Sequence, residues 1–376
     1  MKKICYVTTL ALSIKSFFIP QLKYLAQNGF DVTVICSPDD KLQSLLGENI
    51  RFIPVQMPRG ISALGSIRAI RKLKRIFKRE KFDLVQYSTP NAAFYASLAT
   101  NKAGIKIRNY HLMGLRYLGE SGLKRKILYN LERYTCKNST HIECVSQSNL
   151  NLAVEDKLFP KEKAKVIWNG SSGGVDLRRF DIEKREDYRK EIRDKYNIKL
   201  DEFVFGFVGR ITKDKGVNEI LEAFSKTENA KLLMIGLKEG IETLDSRLYQ
   251  ASLENDNIIY TGAVEEIEKY YPAIDVLLFP SYREGFGNVV MEAGAMGTTA
   301  IVSNIPGPID IVKENVTALI VPPKDSQSLF RVMQKMLDRN LNDKLSSNAV
   351  AFIRESFNQE ILMEHILKNK VELLGK

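Results

Sequence analysis

The sequence predicts two doubly wound α/β domains with a cleft between them, and three observations lead there. The chain has 376 residues, too many for one ordinary domain and about right for two. Short β-rich runs alternate with stretches of helical periodicity in both halves, as in parallel sheets covered by helices on both faces. Charge is divided between the halves. Residues 1–180 hold 30 Lys+Arg against 13 Asp+Glu, a net +17, and residues 181–376 hold 26 against 32, a net −6, which together make the +11 of the chain. Hydrophobic residues at 44% and charged residues at 27% exclude a disordered chain.

The N-terminal run 3–9 is too short in its apolar part and too β-branched for a signal peptide, and Lys15 interrupts the next stretch. It reads as the first strand of a cytoplasmic protein, with further strands at 31–36, 50–55, 84–87, 106–109 and 141–145. Helical periodicity places helices at 16–28, 62–81, 92–102, 123–135 and 148–157, and Asn28-Gly29 supplies the glycine stop of the first. Cys5, Cys36 and Cys144 sit inside the apolar runs, and with Cys136 they form no C-x-x-C pair. They are expected as reduced, buried thiols without zinc. The segment 181–200, dense in charges of both signs, reads as a solvated linker and helix between a domain at 1–180 and one at 190–357. The second half repeats the alternation, with strands at 203–208, 231–235, 258–261, 275–279, 300–303 and 318–321. Helices fall at 216–225, 265–271, 288–296 and 326–340. The stretch 359–374 is helical by periodicity, and residues 358–376 are expected to pack back on the first domain. No run is apolar enough to span a bilayer.

In such sheets ligands bind at the carboxyl ends of the strands, and two loops stand out there. After the strand at 275–279 come Pro280, Ser281, Tyr282, Arg283, Glu284, Gly285, Phe286 and Gly287, then a helix from Asn288 that carries Glu292. A helix N-terminus with its open N–H groups suits a phosphate, and two carboxylates suit sugar hydroxyls, which are donors. After the strand at 203–208 come Gly209, Arg210, Ile211, Thr212, Lys213, Asp214, Lys215 and Gly216. Arg210 and Lys215 are the two ways of binding a phosphate, a planar fork and a point charge. Gly209 lets a ligand approach the backbone.

The pair Gly209-Arg210-x4-Lys215-Gly216 and Glu284-x7-Glu292 resembles the retaining nucleotide-sugar glycosyltransferases of family 4. The resemblance runs from the first strand to the terminal helix and includes the segments 166–176, 261–264 and 275–281. It implies the GT-B fold: two Rossmann-like doubly wound domains facing a cleft. It also implies roles. Arg210 and Lys215 would bind the donor diphosphate and Glu292 the ribose. Glu284 and the backbone of Gly285, Phe286, Gly287, Asn288 and Val289 would hold the transferred sugar. The backbone near Val264 would meet the base. His111 would stand near the donor sugar from the N-terminal domain. The paired glycines that many members carry after the first strand are missing here, and Ser13 in the loop 9–14 is expected to serve instead. The implied chemistry is front-face transfer with retention and without metal or cofactor, from a UDP-sugar to a polyprenyl-diphosphate-linked saccharide in surface polysaccharide or oligosaccharide synthesis.

The basic half adds a surface. Arg68, Arg71, Lys72, Arg75 and Lys78 lie on a helix whose Ile67, Ile70, Leu73, Ile76 and Phe77 recur at helical spacing. The apolar stripe is read as core and the charges as attraction to an anionic membrane. Arg116, Lys124 and Arg125, among aromatic and glycine residues, suit a lipid-diphosphate acceptor. The protein is therefore expected in the cytoplasm, peripheral on the inner face of the membrane. Two competing readings are a non-hydrolysing UDP-N-acetylglucosamine 2-epimerase, which needs more cleft acids and histidines than the three His here, and a basic nucleic-acid-binding module. The latter lacks the aromatic-basic motifs of RNA-binding domains, so no nucleic acid partner is expected.

Overall fold

The computed structural model describes residues 1–58, 60 and 63–375, so Ser62, the expected start of the basic helix, lies outside the described residues. The chain forms two units, residues 1–173 with 360–376 and residues 174–359. The first is built on seven parallel strands: β1 Lys2–Val7, β2 Phe30–Cys36, β3 Ile50–Pro54, β4 Leu84–Tyr87, β5 Ile107–Leu112, β6 His141–Cys144 and β7 Ala164–Val166. Their order is β3-β2-β1-β4-β5-β6-β7. The second has six: β8 Phe203–Val208, β9 Ala230–Ile235, β10 Ile258–Gly262, β11 Val276–Phe279, β12 Thr299–Ser303 and β13 Ala318–Val321, in the order β10-β9-β8-β11-β12-β13. Each sheet reverses its winding once, between β1 and β4 and between β8 and β11, and these switch points are where doubly wound sheets bind ligands.

Most strand positions are apolar because helices cover both faces, while β4, β5 and β6 also carry Gln86, Asn109, His111 and Glu143. The helix Ala63–Glu80 turns Ala69, Leu73, Ile76 and Phe77 into the first core and leaves Ile67 44% exposed. Arg68, Arg71, Lys72, Arg75 and Lys78 are all exposed. Among the described residues no helix is long and apolar enough to cross a membrane.

The structure departs from expectation at several places. The units divide at Gly173/Gly174, ahead of 180, because Val175 bonds to the backbone of Phe357 and pairs with Asn358. The helix expected at 16–28 is two, Ala11–Phe17 and Ile19–Gln27, broken at Phe18. Ser13 thus lies in a helix and not in a loop, and its amide bonds to the Leu10 carbonyl. The helix at 326–340 stops at Met336, and a second, Arg339–Ser356, starts on the Asp338 side chain, which accepts from the Asn340 amide. The helix Ser246–Leu253 and strand β7 had no clear sequence signal.

The largest correction concerns 181–200. Its helix, Arg185–Lys195, is part of the second unit, and Arg193 is fully buried. The Arg193 guanidinium donates to the carbonyls of Ala273, Lys199, Leu200 and Glu202 and to Asp275. Asp275 also accepts from Arg189 and from the Val204 amide. A charged sequence here is an anchor onto the sheet.

Candidate active site

Both loops singled out by sequence sit at the β8/β11 switch point, and the backbone brings them together. Gly216, with φ +74°, ends the first loop, and a Cβ there would fall 2.2 Å from the Pro280 carbonyl oxygen of the second. No other residue allows that approach. The Tyr282 amide then bonds to the Asp214 carbonyl at 2.9 Å. The consequence is a direct ion pair, Lys215 Nζ to Glu284 Oε1, at 2.5 Å. Both are mostly shielded, with side chains 21% and 14% exposed, and Lys215 also lies over the Phe279 ring. Arg210 stands apart, 54% exposed and 3.8 Å from Asp214.

From Gly287 the chain enters the helix Asn288–Ala295, whose first turn has no side-chain cap. A helix start of this kind presents N–H groups and a partial positive charge that suit an anion. Phe286 is buried against Phe357, which anchors the loop, while Asn288 and Val289 are half-buried. The backbone of Gly285 is backed by Gly307, where a Cβ would meet the Gly285 carbonyl oxygen at 2.9 Å.

Glu292, one turn further on, does not join the Lys215–Glu284 pair. Its Oε2 accepts from the hydroxyl of buried Tyr271 at 2.7 Å. Burial pushes its carboxyl up to about 7, against the opposing pull of the Tyr271 hydrogen bond and the Arg179 charge. Arg179 is itself bound to Glu268. Sequence reasoning missed Tyr271 and Arg179, since neither lies in a motif. Val264 follows β10 and packs on the core beside Ile235 and Tyr270.

His111 belongs to the first unit. It lies within β5, which runs past the expected strand end at 109 and on to Leu112. Its strand neighbour in register is Glu143. His111 Nε2 is 3.0 Å from Ser172 Oγ, and Nδ1 is 3.7 Å from Glu143 Oε2. Of the basic patch, Lys124 pairs with Glu120 and Arg125 lies over the Tyr117 ring. Arg116 and Lys124 border a cavity of about 810 Å³ walled by Phe94, Tyr95, Leu123 and Ile127.

Two parallel-sheet Rossmann-like units are the architecture of the GT-B glycosyltransferases. Residues 188–352 match the family model of glycosyl transferases group 1, and residues 21–172 match that of glycosyltransferase family 4. The chain is 30% identical to the capsular polysaccharide biosynthesis glycosyltransferase CapM of Staphylococcus aureus, over 97% of this chain and 96% of that one. It is 24% identical to the UDP-Gal:alpha-D-GlcNAc-diphosphoundecaprenol alpha-1,3-galactosyltransferase of Escherichia coli, over 95% and 93%. A glycosyltransferase structure from Rickettsia africae ESF-5 superposes with a TM-score of 0.81 at 21% identity, over 99% and 98% of the two chains. The chain belongs to the family 4 glycosyltransferases.

The raised carboxyl of Glu292 has a measurable consequence if it holds the ribose. Ribose hydroxyls donate, so the ionised form binds them better. UDP affinity should therefore fall as pH drops through about 7. The UDP phosphate titrates near pH ~6 itself, so calorimetry on wild type and Glu292→Gln is compared at each pH. The extra loss should belong to the wild type alone. Parallel curves for the two proteins would remove Glu292 from the nucleotide.

Proposed function

We propose that the protein is a retaining, metal-independent glycosyltransferase. It moves a hexose or N-acetylhexosamine from a UDP-sugar to a polyprenyl-diphosphate-linked glycan, in surface polysaccharide or oligosaccharide synthesis. The observation that carries this reading is the Lys215–Glu284 pair at the β8/β11 switch point, beside a helix start without a side-chain cap. It joins a cation suited to a diphosphate to a carboxylate suited to a sugar.

In this reading Lys215 and Arg210 take the diphosphate, and the amides from Gly287 to Val289 add hydrogen bonds. Negative charge that develops on the leaving UDP meets fixed cations and dipoles, the electrostatic stabilisation otherwise supplied by a metal. Glu284 accepts from hydroxyls of the sugar and Glu292 from the ribose, with Val264 backbone at the base. His111 offers Nε2 to the sugar. The acceptor hydroxyl attacks on the face the diphosphate leaves, and its proton passes to the leaving phosphate oxygen. No cofactor is required. The named activity of the Escherichia coli relative, on a diphosphoundecaprenol acceptor, supports the lipid-linked acceptor. So does the apolar cavity edged by Arg116 and Lys124, which suits an isoprenoid chain next to a diphosphate. The exposed cations of the helix Ala63–Glu80 support attachment to the inner face of the membrane.

The test is turnover across a panel of UDP- and GDP-sugars, with and without EDTA, on polyprenyl-diphosphate saccharides in phosphatidylglycerol or phosphatidylcholine vesicles. UDP-sugars should turn over best, EDTA should leave the rate intact, and only anionic vesicles should sediment the enzyme. Each Lys or Arg near an anionic surface contributes about 1 kcal/mol. Exchanging Arg71, Lys72, Arg75 and Lys78 for Glu should therefore release the protein while UDP affinity is unchanged. Preference for GDP-sugars, rescue by Mg²⁺ after EDTA, or equal sedimentation with both vesicles would each refute its part of the reading.

A further inference from the structure

The first unit contains a buried ionic network that the reaction as described does not use. Register places Gln86 beside Asn109 and His111 beside Glu143. The helix Gln359–Leu374 brings Asn369 and Lys370 onto these side chains. Glu143 Oε1 accepts from Asn369 Nδ2 at 2.5 Å and from Lys370 Nζ at 2.6 Å. Lys370 Nζ also donates to Gln86 Oε1 at 2.7 Å. Glu143 Oε2 is left facing His111 Nδ1 at 3.7 Å. Lys370 is 1% exposed and Glu143 4%. Burial alone would raise the Glu143 carboxyl, but the Lys370 charge outweighs it and holds it well below the usual carboxylate range.

Stability does not account for this arrangement. A buried ion pair rarely outperforms apolar side chains of the same volume. The network also leaves buried polar atoms without partners among the described residues: Gln86 Nε2, Asn109 Oδ1, His111 Nδ1 and Asn369 Oδ1. Such gathered exceptions point to a functional constraint.

We infer that Glu143 is the positioning residue of His111, and that the chain's last helix holds it in that role through Asn369 and Lys370. This deepens the proposed function and rests on the reading of His111 as a donor-sugar residue. An ionised carboxylate only accepts. A neutral imidazole therefore turns its Nδ1–H toward Glu143 and keeps a lone pair on Nε2. In that tautomer Nε2 accepts from the Ser172 hydroxyl, which lies 3.0 Å away, and a sugar hydroxyl is chemically the same donor. The terminal helix thus sets which hydrogen bond His111 can make, although Lys370 lies 227 residues from Glu143 in sequence.

The experiment reads the tautomer and the rate. With three His in the chain, ¹⁵N-edited spectra resolve each imidazole. His111 should be the Nδ1–H tautomer in the wild type. Glu143→Leu with Lys370→Met removes both charges together and leaves none unpaired in the core. It should mix the tautomers and lower kcat for UDP release from UDP-sugars. The loss expected for removal of an outer partner that orients a working histidine is about 10- to 100-fold, with donor KM unchanged. Glu143→Gln with Lys370→Met, which keeps an amide oxygen facing Nδ1, should recover most of the rate. In a His111→Ala background neither pair should cost anything further. An Nε2–H tautomer in the wild type, or losses that multiply in the His111→Ala background, overturns the inference. A His111→Ala enzyme with undiminished kcat overturns the reading of His111 itself, and is distinguished from a failure of Glu143 by the tautomer spectra.

Discussion

Lys215→Ala should weaken UDP binding by roughly 10- to 150-fold, the equivalent of one charge-assisted contact worth about 1.5–3 kcal/mol. Arg210→Ala should cost less. Both cations belong to one loop, and their surroundings rank them. Lys215 is shielded and held at 2.5 Å by Glu284, whereas Arg210 is 54% exposed and only 3.8 Å from Asp214. A shielded charge is weakly screened, and a pre-positioned one loses little side-chain freedom on binding. Lys215→Ala also leaves the Glu284 carboxylate unpaired beside an incoming diphosphate. Adding Glu284→Gln should therefore recover part of the lost affinity, so that the two changes are not additive. Alone, Glu284→Gln should leave UDP affinity nearly intact and cut turnover strongly, since the carboxylate serves the sugar. Calorimetric titration of these variants and the wild type with UDP decides. If Arg210→Ala costs more than Lys215→Ala, the diphosphate lies on the exposed guanidinium and the ion pair is structural. Affinity unchanged in both single variants would remove the diphosphate from this loop.

Replacing Arg193 with Met should destabilise the second unit by about 3–5 kcal/mol, the cost of breaking a buried pair from one side. Four carbonyls, those of Ala273, Lys199, Leu200 and Glu202, would lose their donor. Asp275 would keep Arg189 and the Val204 amide but lose the fully buried partner. Lys190→Met, on the exposed side of the same helix, should shift stability by no more than about 0.5 kcal/mol. Urea unfolding followed by circular dichroism compares their midpoints. Equal shifts would mean that the helix Arg185–Lys195 is as solvated as its composition suggests.

That contrast shows how composition can conceal a buried charge. The segment 181–200 reads as a solvated linker because it is dense in charge, and burial of Arg193 depends on carbonyls that only the folded loop at 199–202 turns toward it. Strand β7 escapes for the opposite reason. It has three half-exposed or exposed residues at the sheet edge, so no apolar run marks it. The break between Met336 and Arg339 is hidden because apolar spacing continues across it, and the Asp338 cap is recognised only when its side chain is seen on the Asn340 amide.

Consecutive residues alone establish the α/β class, the place of the central strands and the two loops that carry Arg210, Lys215, Glu284 and Glu292. Strands buried on both faces are largely apolar, and glycine combined with charge in a loop at a strand's carboxyl end is the pattern a phosphate site needs. These are local requirements, written in neighbouring positions. Which of those charges meet is settled by the fold. Gly216 against Pro280 joins Lys215 to Glu284, Glu292 turns to Tyr271, and Lys370 reaches Glu143 beside His111. A buried charge needs a partner in space, and chain folding, not sequence spacing, brings one residue near enough to be that partner.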